Sequence, residues 1–128
     1  MTPKQQQRLS RVVWFEIPAL DFDRAIRFYE TIFETTLNRQ QFGPTEIAVF
    51  TYEAPGIGGC LLPVTELQPS THASVYLNAD PSLDAVLARV PAAGGAVLQP
   101  RTELPPGMGW YARILDTEGN GIGIHAVN

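Results

Sequence analysis

Apolar and polar residues alternate from Arg11 to Pro18, with Val13, Phe15 and Ile17 on one side and Trp14, Glu16 and Pro18 on the other. A period of two marks a half-buried strand. After the turn Ala19-Leu20-Asp21 the period changes: Ala25, Ile26, Phe28, Tyr29, Ile32 and Phe33 recur at helical spacing, with Asp21 or Asp23 available as cap, and the helix is expected to run to about Glu34. Short β-tolerant stretches follow at Thr35 to Gln41, Glu46 to Tyr52 and the glycine-rich Gly56 to Pro63. The first half therefore reads β-α-β-β-β.

The second half repeats this order. Thr71 to Asn78 alternates. Pro81 to Ala93 is amphipathic, with Leu83, Val86, Leu87 and Val90 on one side, and Gly94-Gly95 ends it. Ala96 to Gln99 is a brief strand and Gly109 to Leu115 a longer one, and Gly121 to Val127 closes the chain after the turn Asp116-Thr117-Glu118-Gly119-Asn120. Trp14-Phe15-Glu16-Ile17 and Ser74-Val75-Tyr76-Leu77 are offset by about 60 residues, close to half the chain. The pattern predicts a duplicated βαβββ unit, with modules at about 11–66 and 71–127. A ferredoxin-like arrangement with extra strands is the competing reading of the same periodicity.

Composition narrows the class. A chain of 128 residues with 45% hydrophobic and 17% charged content suits one α+β domain over 11–128. The net charge of −4, with basic residues scattered, provides no stripe for nucleic-acid phosphates or anionic lipid, so neither nucleic acid nor membrane is an expected partner. Cys60 is the only cysteine, which excludes an internal disulfide and a Cys-rich zinc site. With a polar, Gln-rich start from Met1 to Ser10 and no long apolar run, the expectation is a flexible tail over 1–10 and a cytoplasmic protein.

Val12-Val13-Trp14-Phe15-Glu16-Ile17-Pro18 with Asp21, Ala25 and Phe28-Tyr29 resembles the opening of proteins related to lactoylglutathione lyase, in the vicinal-oxygen-chelate (glyoxalase/bleomycin-resistance/dioxygenase) superfamily. Gly94-Gly95, Gly107-Met108-Gly109-Trp110, Ala112, Asp116-Thr117-Glu118-Gly119-Asn120 and Ile122-Gly123-Ile124 are similar to that family's second module. The resemblance implies two paired βαβββ modules forming a curved mixed sheet around a cavity with helices outside, a small-molecule ligand and a homodimer.

In the family's metalloenzymes four strand residues hold a divalent cation. The resemblance places the first position at Trp14, the second within Ile57 to Leu62, the third at Ser74 and the fourth at Gly123. Indole and glycine donate nothing to a cation, and serine is a poor ligand. The expectation is no metal and no cofactor, with a divalent metal held by displaced ligands as the minority alternative. Glu16, His72 and His125 each sit two residues from such a position, a displacement of roughly 6–7 Å along a strand. The last and fifth strands are expected to run parallel, which drives His72 and His125 apart.

Strand alternation adds a reading of its own. If Phe15, Ile17, Val75, Leu77, Ile122 and Ile124 pack under the helices, the opposite face carries Trp14, Glu16, His72, Ser74, Tyr76, Gly121, Gly123 and His125. That face is polar, aromatic and hollowed by glycine, as a small-molecule cleft requires. Equally, an antiparallel sheet leaves one face wet without any function.

Trp14, Ser74, Tyr76, Trp110 and Gly123 are the ligand-binding candidates, with Trp110-Tyr111 able to close over the mouth. Glu16, His72 and His125 are the acid–base candidates. Arg113 meets an acidic ligand or is a surface charge. Cys60 reads as a small buried hydrophobe. Neither phosphate-cradling glycine pattern occurs. Four readings compete: a metal-independent acid–base enzyme, ligand sequestration of the bleomycin-resistance type, a docking module with a vestigial cleft, and a lyase or dioxygenase with displaced metal ligands.

Overall fold

A computed structural model describes residues 10–53, 55–67 and 72–128. The expected tail lies outside the described residues apart from Ser10, as does Thr71, the expected start of the fifth strand. The first module comprises β1 (Val12–Ala19), α1 (Phe22–Phe33), β2 (Asn38–Phe42), β3 (Thr45–Val49) and β4 (Gly58–Pro63). The second comprises β5 (Ser74–Asn78), α2 (Leu83–Arg89), β6 (Ala96–Glu103), β7 (Trp110–Leu115) and β8 (Gly121–Ala126). The fold is α+β, built from two βαβββ modules as the sequence repeat predicts.

The modules share one topology. In the first the strand order is β2-β3-β4-β1, with β1 parallel to β4 and the other pairs antiparallel. In the second it is β6-β7-β8-β5, with β5 parallel to β8 and the other pairs antiparallel. Each helix makes the crossover that leaves its module's first strand free to pair in parallel with the last.

Alternation decides which face each helix covers. Asp21 caps α1 by accepting from Arg24 N–H at 3.0 Å, and Glu34 closes it in the left-handed conformation. Ile26, Ala25 and Tyr29 pack on Ile17, Ala48, Leu61 and Phe50. Trp14 lies instead with Ile47, Val49 and Cys60, on the face without a helix. In the second module Leu83, Val86 and Leu87 of α2 pack on Leu77, Ala112, Ile122 and Ile124.

Several element bounds differ from the sequence reading, and two of the differences have a local cause. α2 is shorter: Ser82 caps it by accepting from Ala85 N–H, and the chain leaves the helix at Val90, directly before Pro91. β6 is longer, because register shifts on either side of Gln99 let the strand continue through Pro100 to Glu103. Among the described residues no helix is long and apolar enough to cross a membrane.

Candidate functional site

On the helix-free face of the second module, parallel register sets Tyr76 of β5 beside Gly123 of β8, and antiparallel register sets Arg113 of β7 on the other side of Gly123. The Arg113 Nη1 donates to the Tyr76 hydroxyl at 3.2 Å, and its guanidinium carbon lies 5.7 Å from the centroid of the same ring. Glycine at 121 and 123 makes room. A Cβ on Gly123 would come within 2.3 Å of the Tyr76 ring, and one on Gly121 would lie 3.7 Å from Arg113 Nη2. The ring of Tyr111 stands 6.2 Å from that of Tyr76, tilted by 59°.

Tyr111 is in turn the Cα partner of His125. The His125 Nε2 lies 2.7 Å from the carbonyl oxygen of Met108, in the loop between Gly107 and Gly109, both of which have positive φ. A carbonyl only accepts, so Nε2 carries a proton, and in the neutral ring Nδ1 is left as the acceptor. Tyr76, Arg113, Tyr111 and His125 thus form a continuous patch of two phenols, a guanidinium and an oriented imidazole.

The equivalent face of the first module is drier. Trp14 of β1 is the register partner of Gly58, and Glu16 the partner of Cys60. A Cβ on Gly58 would meet the rings of Tyr52 and Trp14 at 2.5 and 2.9 Å, so this glycine too lies under aromatics. The Cys60 thiol is buried, and its pKa is pushed up to about 12, first by burial and next by the Glu16 charge, while a hydrogen bond from Trp14 opposes the rise. Such a thiol is neither a nucleophile nor a ready ligand.

Not every predicted site residue joins these faces. His72 is exposed ahead of β5, with Nδ1 2.9 Å from the neighbouring Ala73 carbonyl. Ser74 opens β5, two residues before Tyr76. Trp110 shares its side of β7 with Ala112 and Ile114, so it packs with the α2 cluster, and the Arg101 guanidinium carbon sits 4.1 Å from its ring centroid. The aromatic neighbour that reaches the helix-free face is Tyr111.

Sequence reasoning missed Gln99, whose Nε2 donates to the Tyr111 hydroxyl at 2.8 Å. Its only sequence signal is a polar residue in an otherwise apolar strand start.

The family's divalent cation does not fit these residues. At the first position the indole N–H of Trp14 is directed to the Cys60 sulfur, and an N–H group is no ligand. At the fourth, the space a side chain would need is filled by the Tyr76 ring. Among the described residues no group of three or more His, Cys, Asp or Glu side chains could hold a metal ion.

A duplicated βαβββ chain with a polar, aromatic face in its second module defines a class of fold, and comparison with known proteins specifies the family. The model of the Glyoxalase/Bleomycin resistance protein/Dioxygenase superfamily matches residues 11–124, and the chain belongs to that superfamily. Among solved structures it is similar to methylmalonyl-CoA epimerase from Mycobacterium tuberculosis, with a TM-score of 0.67 and 14% identity over 92% of this chain and 88% of that one. It is also similar to a variant methylmalonyl-CoA epimerase from Streptomyces coelicolor in complex with 2-nitronate-propionyl-CoA, with a TM-score of 0.62 and 16% identity over 91% and 94%. A third similar structure is described as an NAD-dependent benzaldehyde dehydrogenase from Legionella pneumophila, with a TM-score of 0.60 and 16% identity over 90% and 98%. No curated protein matches the chain. At these identities the structural neighbours establish the fold alone.

Proposed function

We propose that this protein binds a small organic anion, of the carboxylate class, on the helix-free face of its second module, and that it does so without a metal. The observation that carries the reading is the Arg113–Tyr76 pair. A guanidinium held over a phenol ring and hydrogen-bonded to its hydroxyl still has N–H groups to offer, and their fork matches a carboxylate in geometry and charge. Tyr76 and Tyr111, their rings tilted to each other, supply aromatic surface beside it.

Binding of this kind is sequestration, as in the bleomycin-resistance reading, unless a proton is also moved. His125 favours the second, catalytic reading. Of Glu16, His72 and His125 it is the one whose ring is tethered beside the anion-binding patch with Nδ1 as acceptor, the arrangement a general base needs.

The test is titration of the full chain with simple monocarboxylates such as butyrate, followed by NMR chemical-shift changes. Arg113→Met is expected to weaken binding roughly tenfold or more, since hydrogen bonds to charged groups contribute about 1.5–3 kcal/mol. Equal affinity in Arg113→Met and the wild type would refute the reading.

A further inference from the structure

A chain of hydrogen bonds behind Tyr111 fixes the direction of its hydroxyl. Thr102 spends its single proton on the Pro100 carbonyl, at 2.9 Å, so toward Gln99 its oxygen can only accept. Gln99 must therefore turn its amide nitrogen, not its oxygen, to Thr102, where the separation is 3.4 Å. The same NH2 group donates its other proton to the Tyr111 oxygen at 2.8 Å. With that oxygen already accepting, the phenol proton points away from Gln99, and His125 stands on the other side of Tyr111 as its cross-strand partner.

The two partners are thus complementary in kind. Tyr111 presents a donor and His125, through Nδ1, an acceptor. A hydroxyl is the group that satisfies both at once, accepting from one and donating to the other. Arg113 lies two residues further along β7 on the same face, a Cα separation of roughly 6–7 Å.

We infer that the ligand is a hydroxycarboxylate, with Arg113 holding the carboxylate, Tyr111 and His125 holding the hydroxyl, and Gln99 acting as the positioning residue that keeps Tyr111 a donor. This rests on the anion-binding reading above and adds to it the identity of the second recognised group. Tyr111 determines specificity here, and neither the fold nor the family match assigns it that role.

The test compares butyrate, α-hydroxybutyrate and γ-hydroxybutyrate on the full chain by NMR titration, reading the ratio of affinities. In the wild type at least one of the two hydroxy acids is expected to bind about tenfold more tightly than butyrate, the scale of one well-made hydrogen bond pair. Tyr111→Phe, which keeps the ring and removes the hydroxyl, should bring the ratio to about one. Gln99→Glu gives a readout that a merely structural role would not move: its carboxylate accepts the Tyr111 proton and reverses the phenol, so the ratio collapses although Tyr111 is still present.

A wild-type ratio of one for both hydroxy acids, or a preference that survives Tyr111→Phe, would overturn the inference. Equal binding of butyrate and both hydroxy acids leaves the anion reading intact, whereas failure of all three probes to bind removes both.

Discussion

The ring of Tyr76 on β5 lies across Gly123 on β8, its partner in parallel register, so closely that a Cβ at 123 would come within 2.3 Å of the ring. The first module has the matching pair, Trp14 of β1 beside Gly58 of β4. In each module, then, an aromatic on the first strand covers a glycine on the last.

Gly123→Ala is expected to destabilise the protein by ~1–3 kcal/mol, the usual cost of overpacking, because Tyr76 is 9% exposed and held by Arg113. Urea denaturation measures the loss. It should be accompanied by weaker carboxylate binding, since displacing the ring also moves the guanidinium. A variant as stable as the wild type would show that the ring yields freely.

Cys60 should behave as an inert thiol. With its pKa pushed up to about 12, by burial first and the Glu16 charge second, the thiolate fraction at pH 8 is on the order of one in ten thousand. Ellman's reagent is expected to leave the folded protein unmodified and to react fully in urea. Prompt reaction of the native protein at the rate of a free thiol would contradict the buried placement.

Asp116 makes the β7–β8 turn sensitive to acid. Its carboxylate is held below the usual range, chiefly by the Asn120 side chain and then by backbone N–H groups of the same turn. A depressed folded pKa contributes stability above the unfolded value, ~3.9, and that contribution is lost as pH falls through the folded pKa. Asp116→Ala should therefore lower the melting temperature at neutral pH, and the gap from the wild type should shrink in acid below about pH 4. A gap independent of pH would assign the effect to something other than the carboxylate charge.

The fold was legible because half-buried strands carry a period-two signal and the module repeats it. Val13, Phe15 and Ile17, or Leu77, Ile122 and Ile124, announce their faces without any long-range information. The candidate site's placement on the sheet was legible only where alternation alone decides it. Tyr76 and Gly123 were readable as face residues. Trp110 was not, because one step of parity separates it from Tyr111, and a loop before the strand hides which comes first in register. Gln99 was beyond reach for a further reason: the register shifts that bring it to Tyr111 depend on how β6 accommodates Pro100, a proline that normally reads as the end of a strand.

That same proline has a consequence for β6 as the outermost strand of its module. Val97 and Leu98 are exposed there, at 39% and 57%, and a flat strand bearing them would be a template for another chain. Pro100 supplies no N–H, and the shifts in register on either side of Gln99 break the even row of donors and acceptors that an incoming strand would have to match. The irregularity that organises the Tyr111 hydroxyl on one side of the strand therefore also guards its outer edge against aggregation.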